Sequence, residues 1–149
     1  MTPAARLSAA IELIDIIDTQ RIPASKALKE WGTAHRYAGS GDRAAIAGLI
    51  WDVLRRRASS AWLMNADTAR ARVLGMLRLE RGMNTDAIAA LCDGGRFAPE
   101  PLSEAERAAR ADAETARQVS DFLVTLFEVS DPGVGKGDAV TARELLDRG

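Results

Sequence analysis

Apolar residues recur at the spacing of an α-helix along much of this chain, and the pattern is clearest in residues 46–54. There they fall at positions i, i+3, i+4, i+7 and i+8, as Ile46, Leu49, Ile50, Val53 and Leu54. The composition agrees with this spacing, because the chain contains 28 alanines, the strongest helix former. The sequence therefore predicts an all-α protein built as a bundle of amphipathic helices.

Prolines, glycines and capping residues divide the pattern into separate helices. Pro3 opens the first helix, and a second helix is expected from about Ser25 to His35 with Trp31 facing inward. Asp42 is expected to cap the central helix. That helix should end or bend near Arg57, because a longer helix would turn this arginine onto the apolar face.

Capping signals continue along the chain. Ser59 and Ser60 are expected to cap a short turn, and Asn84 a short helix. Ser103 and Glu106 have the spacing of a capping box. The glycines and prolines before them mark the expected domain edge, which divides the chain into a core domain, 1–100, and a helical extension, 101–149.

The extension carries its own apolar stripe, formed by Val119, Phe122, Leu123, Leu126 and Phe127. Such a stripe must be buried against something. If it does not close on the core, Phe122, Leu123, Leu126 and Phe127 could serve as a docking surface for a protein partner.

Charge is unevenly distributed although the net charge is only −1. Residues 1–97 contain 14 Lys and Arg against 10 Asp and Glu, whereas residues 98–149 contain 6 against 11. The two parts are therefore expected to present different surfaces to different partners.

The single cysteine, Cys92, excludes an intrachain disulfide and is expected to pack in the core, which fits a cytoplasmic protein. His35 is the only histidine, so neither a metal site nor a Cys–His catalytic pair is expected. The glycines of 133–137 lack the spacing of a phosphate-binding loop, and no cofactor is expected. No apolar stretch approaches the roughly 18 residues that span a bilayer, so no membrane contact is expected.

Three phrases in a fixed order carry a resemblance to a known family. They are 27–31 (ALKEW) with His35-Arg36, 41–46 (GDRAAI) through Arg55-Arg56-Arg57, and 91–94 (LCDG) with 96–99 (RFAP). Over residues 3 to about 110, the chain resembles the N-terminal domain of the bacterial 16S ribosomal RNA cytosine-C5 methyltransferases of the Sun/Fmu (RsmB-like) family. Asp42-Arg43 corresponds to the acidic-basic pair that begins the family's central helix, and Leu54-Arg55 to the Leu-Arg near its end.

The resemblance implies a NusB-like helical fold and an RNA-binding accessory role. In the family, the catalytic domain that follows uses S-adenosylmethionine and two cysteines. This chain has one cysteine and no glycine-rich cofactor loop after a strand. It is therefore expected to be a noncatalytic RNA-binding module rather than an enzyme.

Residues from about 115 to 149 resemble a different protein class, the connector between the kinase and tetratricopeptide-repeat regions of bacterial Ser/Thr protein kinases. The stretches that carry this resemblance are 122–132 and 140–149. No kinase signature accompanies them. Two alternatives to RNA binding follow, a protein-interaction module and a truncated or fused remnant.

Arginine is the residue type that best matches RNA phosphate, since its guanidinium group binds phosphate through two parallel hydrogen bonds and stacks on bases. The RNA, as the resemblance implies, is ribosomal. Tryptophans 31, 51 and 62 are interleaved with the candidate arginines, and filling the core is the alternative role for them. The candidate RNA-binding residues are Arg36, Arg43, Arg55, Arg56 and Arg57.

Overall fold

The computed structural model describes residues 1–109 and Thr125, and the described residues contain helices and no strand. The all-α prediction is confirmed. The helices are α1 (Pro3–Gln20), α2 (Ala24–Ala34), α3 (Ser40–Arg55), α4 (Arg57–Met64), α5 (Ala69–Leu79), α6 (Thr85–Leu91) and α7, which is described over 104–109. None of the helices in this part of the chain is long and apolar enough to cross a lipid bilayer.

Helix α5 is the central element of the core. All of its residues from Ala71 to Arg78 are buried, and it packs against α1, α3 and α4. The apolar stripes of α1 and α3 meet it through fully buried side chains such as Ile14 and Ile50. Cys92 is also buried, as expected.

Two arginines are buried in this central helix. Arg72 donates hydrogen bonds from Nε to Asp67 at 2.6 Å and from Nη1 to Asp18. Arg78 donates to the carbonyl oxygen of Met83 at 2.8 Å. A buried guanidinium group is tolerated only with such partners, so these contacts fix where α5 sits.

Several helix boundaries agree with the sequence. The side chain of Asn84 accepts a hydrogen bond from the Ala87 amide at 2.8 Å. Ser103 and Glu106 form the reciprocal capping box, with distances of 2.9 and 3.2 Å. Helix α3 ends at Arg55 and α4 begins at Arg57, which confirms the expected bend.

Two capping predictions are wrong. Helix α3 begins at Ser40, so Asp42 is the third helical residue, and its carboxylate accepts a hydrogen bond from the Gly39 amide at 3.3 Å. Helix α4 begins at Arg57, so Ser59 and Ser60 lie inside it. Ser60 is fully buried because α4 packs closely on α5 there, and only a small side chain fits.

The chain after α6 folds back onto the bundle. Arg70 of α5 donates to the Glu106 carboxylate at 2.7 Å and to the carbonyl oxygens of Glu100 and Pro101 at 2.8 and 3.2 Å. Leu102 is buried between these contacts. Met1–Ala113 forms one compact unit, and the other unit, Glu114–Gly149, lies outside the described residues except for Thr125.

Candidate nucleic-acid interface

The structure places the candidate arginines in two separate regions. Arg55, Arg56 and Arg57 lie at the junction of α3 and α4, whereas Arg36 and Arg43 lie where α2 meets the start of α3. Arg43 and Arg55 are about 18 Å apart along α3, at about 1.5 Å per residue. A short RNA segment that contacts one of these regions would therefore not reach the other.

Each arginine at the junction is paired with a carboxylate of the protein. Arg55 donates to Asp52 at 2.6 Å, Arg56 to Glu80 at 2.8 Å, and Arg57 to Asp18 at 2.8 Å. Asp52 also binds Arg81 at 2.5 Å. These carboxylates offset much of the positive charge that the sequence places here.

The three tryptophans differ in exposure. Trp31 is 6% exposed and belongs to the core, whereas Trp51 and Trp62 are 49% and 78% exposed. Trp51 lies four residues before Arg55, on the same face of α3. The core-filling alternative therefore holds for Trp31 alone.

A basic groove lies between α2 and α3. We define it by its lining residues, Leu28, Lys29, Gly32, Thr33, Arg36 and Arg43. Arg36 and Arg43 were predicted, and Lys29 was not. The lining contains no acidic residue, and within residues 1–109 none of its three cations pairs with a carboxylate. The acidic neighbour of Lys29, Glu30, pairs with Lys26 at 3.8 Å.

Arg43 is held in place across this groove. Its Nε donates to the carbonyl oxygen of Ala38 at 2.9 Å, and a Cβ at Gly32 would lie 3.3 Å from Arg43 Cδ. The absence of a side chain at Gly32 therefore lets the arginine lie close to α2. A guanidinium group fixed by one hydrogen bond keeps further N–H donors for a ligand.

Sequence reasoning missed Lys29, although a signal for it existed. Lys29 lies in the second half of α2 and Arg36 in the turn that follows Ala34, so the two cations are close in sequence and lie toward the same end of the helix. What the sequence could not show was that Arg43 would join them from the next helix.

No protein-family model, curated protein or solved structure matches this chain. The docking stripe proposed for Phe122, Leu123, Leu126 and Phe127, and the connector resemblance of residues 115–149, lie outside the described residues. Among the residues that are described, no group of three or more His, Cys, Asp or Glu side chains is placed to hold a metal ion.

Proposed function

We propose that this chain is a noncatalytic RNA-binding module whose main phosphate site is the basic groove of Lys29, Arg36 and Arg43. The observation that carries the proposal is that these three cations line one groove with no carboxylate partner in residues 1–109. Unneutralised cations brought together on one surface favour a polyanion. The NusB-like resemblance supports the same conclusion and suggests ribosomal RNA, in the cytoplasm, as the ligand.

The junction arginines are weaker candidates for the primary contact. A phosphate that binds Arg55, Arg56 or Arg57 must compete with Asp52, Glu80 or Asp18. Exposed ion pairs contribute at most about 1 kcal/mol each, so RNA could still recruit these arginines as secondary contacts. The groove cations require no such exchange, and we therefore rank them first.

The proposal is tested by measuring the affinity of the full chain for a labelled library of ribosomal RNA hairpins across a salt series. The test variant is Lys29→Gln/Arg36→Gln/Arg43→Gln. The matched control is Arg55→Gln/Arg56→Gln/Arg57→Gln, which removes the same charge from the junction. Circular dichroism of both variants checks that helicity is retained.

We expect the wild-type chain to bind with an affinity that falls as salt rises. The groove variant should bind at least about tenfold more weakly and show a smaller salt slope, by about 0.7 to 0.9 per lost phosphate contact. The junction variant should show a smaller loss. Equal losses, or a larger loss from the junction variant, would contradict the placement of the phosphate site, and no binding at low salt would overturn RNA binding itself.

A further inference from the structure

Two loops that are distant in sequence meet beside α1 and expose aromatic rings there. The loop after α2 carries Tyr37, which is 73% exposed, and the segment after α6 carries Phe97, which is 64% exposed. Both rings line one depression of about 290 Å³, together with Trp31 and His35. We call this depression the aromatic pocket.

Three of the four rings that line the aromatic pocket contact one another in a row. Trp31 and His35 are stacked with ring centroids 4.3 Å apart, and Tyr37 meets His35 edge-on at 5.7 Å. On the other side, the Arg96 guanidinium group lies 5.1 Å from the centre of the Phe97 ring. Flat ring faces and a guanidinium plane are the surfaces on which nucleobases stack.

Hydrogen bonds hold both loops in place. Ser8 of α1 donates to the Phe97 carbonyl oxygen at 3.0 Å, and the Ala98 amide donates to Gly95 at 2.9 Å. In the other loop, the Ala38 amide donates to His35 at 3.0 Å, and Ala38 is fully buried. The anchored backbones hold Tyr37 and Phe97 in exposed positions. Because these loops are already ordered, less conformational entropy is lost when a ligand binds between them.

One polar group of a pocket-lining residue has no hydrogen-bond partner within residues 1–109. The indole Nε1 of Trp31 is buried and makes no hydrogen bond, although buried N–H groups are nearly always paired. Because this atom has no exposed surface, the polar groups available to a ligand are those at the pocket surface, the Arg96 guanidinium group and the Glu12 carboxylate. Nucleobases have a flat stacking face, and their edges carry both hydrogen-bond donors and acceptors, so they match both groups.

The aromatic pocket adjoins the basic groove through consecutive residues. Arg36 lines the groove, and Tyr37 lines the pocket. We propose that the pocket binds one unpaired RNA base whose neighbouring phosphate lies in the groove, so that the ligand class is single-stranded RNA. This inference rests on the proposed function and adds to it the strandedness of the RNA.

The size of the pocket agrees with this occupant. A volume of about 290 Å³ lies at the small end of the range for ligand sites. It suits a single planar ring system rather than the face of a partner helix. Double-stranded RNA cannot place a base there, because its bases remain paired and stacked inside the helix.

The test compares the binding of a single-stranded RNA oligonucleotide with that of a duplex of the same length to the full chain. The variants are Tyr37→Leu and Phe97→Leu, and Trp62→Leu is the matched control, since Trp62 is also a largely exposed aromatic residue but lies on α4. Thermal unfolding of each variant checks the fold. The wild-type chain should prefer the single strand.

Each pocket variant should weaken single-strand binding about tenfold, in line with the loss of one stacked base, and leave duplex binding and the salt slope unchanged. Equal losses for single strand and duplex, or the same loss from Trp62→Leu, would overturn the aromatic pocket. The groove variant tests the proposed function separately. It should weaken the binding of both single-stranded and duplex RNA and lower the salt slope. If the pocket variants leave RNA binding unchanged and the groove variant weakens it, the proposal for the aromatic pocket fails and the proposed function stands.

A second measurement uses the ring inside the pocket. In a Trp51→Phe/Trp62→Phe background, Trp31 is the sole source of tryptophan fluorescence. Single-stranded RNA should change this fluorescence, and the Tyr37→Leu substitution should reduce the change. Fluorescence that does not respond at saturating single-stranded RNA would overturn the placement of a base beside Trp31.

Discussion

Gly75 of α5 lies directly against the backbone of Ser60 in α4. A Cβ at position 75 would stand 2.7 Å from the Ser60 carbonyl oxygen and 2.8 Å from its Cα. The two helices therefore approach each other at a point where neither has room for a larger residue. This contact sets the position of α4, and with it the direction in which the chain leaves the α3–α4 junction.

The Gly75→Ala substitution should destabilise the protein. Alanine favours a helix by about 1 kcal/mol over glycine, but the clash with Ser60 requires α4 to move, and overpacking of this kind costs about 1 to 3 kcal/mol. We expect a net loss of up to about 2 kcal/mol in the free energy of unfolding, measured in urea. Gly41→Ala is the control, since a Cβ there meets nothing within 4 Å, and it should not destabilise. A Gly75→Ala variant as stable as Gly41→Ala would refute the contact.

Asp18 is shared by two arginines that differ in burial, which allows a matched comparison. Arg72 has 5% of its side chain exposed and Arg57 has 50%. Arg72→Met should cost about 3 kcal/mol, because it leaves a partly buried carboxylate without its inner partner. Arg57→Met should cost less than about 1 kcal/mol. Urea unfolding measures the stability of both variants. Similar losses of stability would contradict the conclusion that burial makes the ion pair of Arg72 with Asp18 the stronger of the two.

Asp42 should make stability sensitive to acid. Hydrogen bonds from Arg6 and from the amino group of Met1 hold the pKa of Asp42 below its ordinary value of 3.8. Because the folded protein favours the ionised form, the contribution of Asp42 is complete above that pH and is lost as the pH falls through the lowered pKa.

We therefore expect Asp42→Asn to be less stable than wild type near neutral pH, with a difference that shrinks as the solution is acidified below pH 3.8. Urea unfolding over a pH series measures this. Glu104→Gln, at an exposed position, serves as the control and should show no such convergence. A constant difference between wild type and Asp42→Asn over the acidic range would contradict the role of this carboxylate.

Arg70 should attach residues 100–109 to the bundle. Burial alone would raise the pKa of Glu106, but hydrogen bonds from Arg70 and Ser103 outweigh it and lower the pKa, as expected for an ionised partner. Arg70→Ala should increase amide hydrogen exchange in residues 102–106 by about tenfold, as expected when a charged hydrogen bond of about 1.5 kcal/mol is lost. Arg107→Ala, at an exposed position, should leave exchange unchanged. Unaltered protection in Arg70→Ala would show that other contacts hold the segment.

Local patterns predicted the helices well because a helix is determined largely by residues within a few positions of one another. The second helix was expected from about Ser25 to His35 and is found over Ala24–Ala34. The caps at Asn84 and Ser103 were also predicted from adjacent residues. The error at Ser60 has a different origin, because the start of α4 depends on its packing against Gly75, which is distant in sequence.

The candidate site was less predictable for the same physical reason. Residue type and helix face identified the arginines, but the partners of Arg56 and Arg57 lie 24 and 39 positions away in the sequence. Whether an arginine is available to a ligand depends on such distant partners. The sequence therefore identified the candidate arginines, but it did not separate those paired with carboxylates at the junction from those in the basic groove.

The hydrogen bond between Ser8 and Phe97 joins residues 89 positions apart, whereas the basic groove is contained within residues 28–43. The two parts of the surface thus differ in how much of the chain must stay folded to maintain them. Local detachment of the Phe97 loop would dismantle the aromatic pocket and leave the groove and the core intact. Warming should accordingly erase the discrimination between single-stranded and duplex RNA before it erases affinity for phosphate.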